Sequence, residues 1–319
     1  MYHRVIVPIE EGAGAKSLDP VRPLVRDLGC ELTILHVHHV QEAPPELEGL
    51  TQYRFQHVVE AWDGRDHDAE ERECAWVAAV AAEVARAEPG LAVSSRVVHA
   101  PLARTLAEGD ERVLVVAPED GAGGLDVAQR LGPTAQELIR GGGVPILLVR
   151  AGRPLTPIRR ILVTLDGSRF SMEVLDPALE LARACGARLS LLEVVTRHSG
   201  LIRLLHPGDR SAESAERFLR QVRDRVAQVR DRVARELGPV DVRVVEDEDP
   251  ARAIAAEVER DDFDLVAMAT HGRGGLRRLL LGSVAERVMR EVDVPVLLYR
   301  PSAVSVAPEP EVGSGAAHA

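Results

Sequence analysis

The sequence predicts an α/β protein built from two consecutive doubly wound domains, each a five-stranded, mainly parallel sheet with helices on both faces. Three observations lead to this prediction. Short apolar runs alternate with longer helical patterns, as in a parallel sheet whose strands are joined by right-handed crossovers. The whole series occurs twice, and 319 residues suit two such units better than one.

The repetition is visible as five segments that recur in the same order at offsets between 150 and 157 residues. Chance would not preserve that order, so the chain is a tandem duplication. The pairs are Val5–Glu10 with Ile161–Asp166, Leu18–Pro20 with Leu175–Pro177, Leu32–Val37 with Leu189–Val194, Val113–Ala117 with Leu265–Ala269, and Val144–Arg150 with Val294–Arg300.

The repeated series fixes the expected domain boundaries. Strands alternating with helices in this order are typical of a Rossmann-like fold. We expect one domain over residues 1–150 and a second over residues 158–300, joined by a linker at 151–157. Residues 301–319 are rich in Pro, Ala, Gly and Ser, and we expect them to form a disordered tail.

The elements between the matched strands are predicted from periodicity and capping signals. In the first copy these are a helix near 69–87, a strand at 93–98 and a short helix near 101–108. In the second copy a long helix covers 211–237 and a strand covers 240–245. Asp249 and Pro250 then open a helix that ends near residue 260, because proline suits the first helical position.

Composition excludes several classes of partner. A formal net charge of −11 gives no basic footprint for nucleic acid. No apolar run has the length of a membrane span, and Met1–Arg4 leads into a strand without a signal peptide. The three cysteines, Cys30, Cys74 and Cys185, are not closely spaced. We therefore interpret them as small hydrophobic core residues in a reducing compartment and expect a cytoplasmic protein.

The histidines show no spacing that predicts a metal site. His36, His38 and His39 cluster at the end of a predicted strand, and we assign them to a solvated loop end.

Phosphate binding is the chemistry indicated near the end of the second copy. Glycines in residues 272–275 allow close approach of an anion to the backbone, and Ser283 is predicted to be the N-cap of the following helix. Asp166 ends another strand, so it belongs at the same edge of a parallel sheet. The alternative is that the glycines only make a flexible turn and that Ser283 only caps a helix.

The pattern Ala269-x2-Gly272-x9-Gly282-Ser283, together with the strand-terminal Asp166, resembles the universal stress protein family, in particular its ATP-binding branch. Alanine stands at residue 269, where that pattern has its first glycine. The resemblance implies a stress-response protein that binds ATP with Mg²⁺ as a sensing or switching ligand.

The same resemblance assigns roles to individual residues. It implies that Asp166 and the backbone of Val194 contact the adenosine end of ATP and that Thr164 lines the pocket. It implies that the phosphates are cradled by Gly272, Gly282, Ser283 and the N–H of Val284, with Arg273 as a neighbour. Mg²⁺ would bridge phosphate oxygens rather than occupy a protein cage.

The first copy departs from that pattern. Glu10 matches Asp166, the acids Glu119 and Asp120 stand in the equivalent loop, and Pro133 replaces Ser283. Proline donates no N–H, and the carboxylates would repel a triphosphate. We predict that the first domain keeps the fold and binds ATP weakly or not at all.

Two other functions stay open from the sequence, a nucleotide-independent interaction protein of the same fold and a slow ATPase. No Walker loop and no Gly-x-Ser-x-Gly elbow occurs, and His271 has no visible catalytic partner, so an enzyme is not the leading expectation. Members of the family pair through their final strands. Here 144–149 could lie beside 294–299 as an intramolecular pseudo-dimer, and a homodimer stays open.

Overall fold

The computed structural model describes residues 2–38, 52–99, 112–118, 131, 133–150, 155, 157–196, 212–270 and 281–301. The predicted short helix near 101–108, most of the linker and residues 302–319 lie outside these ranges, so the predictions made for them stay predictions.

Ten strands form one sheet in the order β3-β2-β1-β4-β5-β10-β9-β6-β7-β8. Within each half all neighbours are parallel, and the order 3-2-1-4-5 is repeated in the second half. The predicted fold class is confirmed. The strands are β1 Arg4–Pro8, β2 Glu31–His38, β3 Val93–His99, β4 Val113–Pro118, β5 Ile146–Val149, β6 Arg160–Leu165, β7 Arg188–Val195, β8 Asp241–Glu246, β9 Leu265–Ala269 and β10 Val296–Tyr299.

Helices connect these strands, and their ends follow local chemistry. The helix that begins at Pro250 has Asp249 as its N-cap, whose carboxylate accepts from the N–H of Arg252, as the sequence predicts. The helices are α1 Arg22–Leu28, α2 Gln52–Ala87, α3 Pro133–Gly141, α4 Arg169–Met172, α5 Leu175–Cys185, α6 Ala212–Leu237, α7 Pro250–Arg260 and α8 Ser283–Glu291, with a 3₁₀ turn at Ala15–Leu18.

Alternate side chains of each strand face two separate apolar layers. Val5 and Val7 pack into the layer that contains α1, α2, α5 and α6, whereas Ile6 packs into the layer that contains α3, α7 and α8. Strands that are buried on both faces explain the nearly continuous apolar runs of the sequence. Among the described helices, none combines the length and the apolar content that crossing a membrane requires.

The two halves meet where β5 and β10 pair in antiparallel fashion, with Leu147 opposite Leu297. Contacts from beyond the strands reinforce this junction. The N–H of Gly143 donates to the carbonyl of Arg300 at 2.6 Å. The guanidinium of Arg150 donates to the carbonyls of Met289 and Val292 at the end of α8, where a helix favours positive charge.

Gly142 should be far less tolerant of alanine than a glycine with similar backbone angles elsewhere. Its φ is +68°, and an added Cβ would lie 2.9 Å from the carbonyl oxygen of Arg300. Gly186 has a φ of +64° and nothing within 4 Å of that position. We expect Gly186→Ala to lower the free energy of unfolding by about 1–2 kcal/mol from the left-handed backbone alone. Gly142→Ala should cost a further ~1–3 kcal/mol from the close contact.

Urea denaturation of the two variants measures this difference. Equal losses of stability would show that the junction yields to an added methyl group without cost.

Candidate functional site

The carboxyl ends of three strands in the second half form one rim. In the pairing of β6 with β7, Leu165 lies opposite Glu193, so Asp166 and Val194 each follow by one residue. On the other side, β6 pairs with β9 through Val163 and Ala267, two residues before Ala269. Asp166, Val194 and Ala269 therefore lie at the same edge of the sheet, where ligands bind in this class of fold.

Asp166 is oriented by the turn that follows it. Its Oδ1 accepts a hydrogen bond from the N–H of Ser168 at 2.9 Å, and its own N–H donates to Oγ of Ser171 at 3.2 Å. Between them, Gly167 has a φ of +76°, which favours glycine. Ser168 is also the N-cap of α4. The turn thus keeps one carboxylate oxygen of Asp166 close to its own backbone.

Thr164 lies just below the rim and is 8% exposed. Leu162, two residues earlier on β6, packs into the layer that contains α7 and α8. Because side chains alternate along a strand, Thr164 belongs to the same face as Leu162. It is therefore part of the wall of the rim on the side of α8.

The start of α8 differs from the prediction by one residue. Gly282, with φ −72° and ψ 152°, is the N-cap, and Ser283 is the first helical residue with an exposed side chain. The prediction that Ser283 is the N-cap was wrong, because the extended backbone continues through Gly282. Glycine is itself an accepted N-cap, although it offers no side-chain oxygen.

Two backbone hydrogen bonds fasten α8 to the end of β9. The N–H of Gly282 donates to the carbonyl of Thr270 at 2.6 Å, and the N–H of Thr270 donates to the carbonyl of Tyr299 at 3.0 Å. The chain that leaves β9 therefore returns to the same point. Gly272 and Arg273, which lie between, are outside the described residues, so their predicted roles stay predictions.

The first turn of α8 has amide groups without acceptors inside the helix. Its first intrahelical bond runs from the N–H of Glu286 to the carbonyl of Gly282 at 2.9 Å. The amides of Ser283, Val284 and Ala285 precede that bond, so the helix itself provides no acceptor for them. The amide of Gly282 is already used by Thr270. Of the predicted phosphate contacts, Ser283 and Val284 thus keep donors that an anion could use.

A bidentate ion pair fixes α8 against α7. Arg287 of α8 donates through both terminal nitrogens to the carboxylate of Asp249, at 2.9 and 2.7 Å, and also reaches Glu291. The hydrogen bonds from Arg287 hold the pKa of Asp249 below its usual value. The pair links the N-terminus of α7 to the middle of α8 and so helps to position the first turn of α8.

His36 and His38 are buried, and their assignment to a solvated loop end was wrong. His36 is 5% exposed and His38 is 3% exposed. Nδ1 of His38 lies 2.8 Å from a carboxylate oxygen of Glu73, and the ring of His36 meets Trp76 edge to face. Both partners come from α2, which covers this strand end. His39 lies outside the described residues, and the part of the chain that is described holds no group of metal-binding side chains.

The cysteines are free, and two of the three are partly buried. Burial raises the pKa of Cys30 and of Cys185 to about 11, so neither is a ready thiolate. Cys74 is exposed, which corrects its prediction as a core residue.

Comparison with known proteins places these features in a family. A family model described as "Universal stress protein family" matches residues 157–300. A universal stress protein from Mycobacterium tuberculosis is 30% identical over 249 residues, which cover 76% of this chain and 81% of that protein.

A solved structure that covers most of the chain has the same fold. The structure of a universal stress protein from Archaeoglobus fulgidus superposes with a TM-score of 0.59 at 16% identity, over 93% of this chain and 98% of that one. A universal stress protein solved in complex with cAMP matches 46% of this chain and 98% of its own, at 23% identity and a TM-score of 0.31.

The Asp249–Arg287 pair should make a contribution to stability that depends on pH. Because the folded pKa of Asp249 is lowered, the contribution is present above the ordinary aspartate pKa of about 3.9 and is lost as pH falls through the lower folded value. We expect Asp249→Asn to be less stable than wild type near neutrality, with the difference shrinking below about pH 4. Asparagine retains the N-cap, so the charge pair is tested separately.

Urea denaturation at a series of pH values checks this expectation. Asp224→Asn, which removes the same charge at an exposed helical position, is the control. A constant difference for Asp249→Asn would contradict the assignment of the pH dependence to this pair.

Proposed function

The chain belongs to the universal stress protein family, and we propose that its C-terminal half, residues 158–300, binds ATP with Mg²⁺ at the rim formed by β6, β7 and β9. We propose that the N-terminal half, residues 1–150, keeps the fold without a working nucleotide site.

The first turn of α8 is the observation that carries this proposal. The amides of Ser283, Val284 and Ala285 lack acceptors in the helix, and Thr270 holds the start of the helix at the end of β9. Backbone N–H groups at a helix N-terminus, together with the helix dipole, favour a phosphate group. The net negative charge of the chain does not prevent this, because the local dipoles decide the interaction.

The adenosine end would lie at the other side of the rim. Asp166 is one residue beyond β6, and its carboxylate can accept from hydroxyl groups of a ribose, while the backbone of Val194 lies beside it on β7. Thr164 forms the wall beneath. Ala269, at the end of β9, is small and lets the neighbouring backbone approach a ligand closely.

The residues at the rim fit a nucleotide that brings its own metal ion. Amide donors suit phosphate oxygens, and Mg²⁺ is commonly held by substrate phosphates and water with few protein ligands. When bound, Mg²⁺ would neutralise part of the triphosphate charge.

We propose a sensing or switching role in the cytoplasm, with little or slow hydrolysis. Among the described residues, no acid–base pair with a nucleophile stands at the rim that would suit fast catalysis. Separate chains of the family pair through their final strands. Within this one chain, the pairing of β5 with β10 would take the place of that contact.

Ser283→Pro should weaken binding of Mg-ATP without unfolding α8. Ser283 is the first helical residue, a position that accepts proline, and Pro133 occupies the equivalent place in α3. The variant removes one amide donor to a charged group, which is worth roughly 1.5–3 kcal/mol, so affinity should fall by about tenfold to a hundredfold. Ser283→Ala keeps the amide and should retain most of the affinity.

Isothermal titration calorimetry of the full chain measures both variants and the stoichiometry. We expect one nucleotide to bind per chain, and we expect Gly272→Glu to abolish this binding. cAMP, which has adenosine but a single cyclic phosphate, should bind more weakly than ATP. A stoichiometry of two would refute the proposal that the first half has no working nucleotide site. Absence of binding by the wild-type chain would favour a nucleotide-independent interaction protein. Release of phosphate from bound ATP would identify a slow ATPase.

A further inference from the structure

A carboxylate already lies at the start of α3, the helix that corresponds to α8. The N–H of Thr134 donates to Oε1 of Glu10 across 124 residues of sequence, at 3.4 Å. Pro133 opens α3 and has no N–H, so the amide of Thr134 is the first that the helix offers. The carboxylate of Glu10 thus accepts from the first amide that is available at the N-terminus of α3.

The duplication shows which donor this is. Glu10 corresponds to Asp166, and Thr134 corresponds to Val284, one of the two amides predicted to bind phosphate in the second half. In the second half the acid is one methylene shorter, and its Oδ1 accepts from the N–H of Ser168 in its own turn. The longer side chain in the first half reaches the helix.

The side chain of Thr134 provides a second sign of an anion site. Thr134 is 1% exposed, and within the described residues its hydroxyl has no hydrogen-bond partner. A buried hydroxyl without a partner is unfavourable, and most such groups are satisfied. An oxyanion at the start of α3 could accept from the amide and from this hydroxyl together.

We propose that the start of α3 is a binding site for a phosphate-type oxyanion and that the carboxylate of Glu10 closes it from within. Glu10 therefore weakens the binding of phosphate by the first half. This explanation of the difference between the two halves rests on the proposed function of the second half. The site at α3 can be tested by itself.

The closure is competition between a tethered and a free anion. The fold holds the carboxylate of Glu10 beside the site, and a group tethered in this way competes at an effective concentration in the millimolar range or above. A helix N-terminus favours one negative group, and a second anion beside Glu10 would meet repulsion from it. Phosphate therefore binds more weakly as long as the carboxylate stays in place.

Amide NMR of the ¹⁵N-labelled full chain tests the proposal, because it reports the Thr134 and Val284 amides separately. Inorganic phosphate is titrated into wild type, Glu10→Ala, Glu10→Asp and Glu11→Ala. Glu11 is the exposed neighbour of Glu10 and provides the matched control. Glu10→Asp retains the charge but has the length of Asp166. It therefore separates the effect of the contact with the Thr134 amide from the long-range repulsion between the carboxylate and phosphate.

We expect phosphate to shift the Thr134 amide in Glu10→Ala with an apparent affinity at least about tenfold higher than in wild type. Glu10→Asp should give a smaller gain, and Glu11→Ala should match wild type. No gain in either Glu10 variant, with the remaining spectrum unchanged, would overturn the proposal, and so would an equal gain in Glu11→Ala. In wild type, the response of the Val284 amide to Mg-ATP tests the proposed nucleotide site independently.

Discussion

The antiparallel pairing of β5 with β10 is the constraint on which the rest of the structure depends. Each half ends its five-stranded sheet with a short apolar strand, and an uncovered edge of that kind would pair with other chains. Pairing the two edges makes one ten-stranded sheet. Gly142, Gly143 and Arg150 extend the contact beyond the strands, because they bring backbone and guanidinium groups of one half onto the end of the other.

The duplication preserves backbone positions while it changes the chemistry at them. At the carboxyl end of the second strand, the first half buries His36 against Trp76, whereas the second half buries Glu193 in an ion pair with Arg225. Both arrangements join a strand to the long helix that covers it. Similar strands therefore carry different polar groups. Among the described residues, a carboxylate accepts from the first amide of α3, whereas none does so at the first amides of α8.

The sequence predicts the strands because they follow from local periodicity. It predicts the duplication because five segments recur in the same order. The rim position of Asp166 needs only the order of the strands. The burial of His36 and His38 could not be read locally, since it depends on Glu73 and Trp76, which α2 brings onto the end of β2. The helix itself begins at Gln52, well before the predicted start at residue 69. The contact between Glu10 and Thr134 spans 124 residues and depends on one methylene of length, which no spacing rule records.

The helices α3 and α8 show how one half could lose the proposed anion site without losing its fold. Each helix has its first turn at a rim and its last turn at the junction between the halves. Pro133 and Glu10 change only the donors of the first turn of α3. The side chains that pack α3 against the sheet, which include Leu138 and Ile139, and the junction at Gly142 are unaffected. The proposed anion binding and the packing therefore depend on different groups of the same helix, so the site could change while the sheet stays whole.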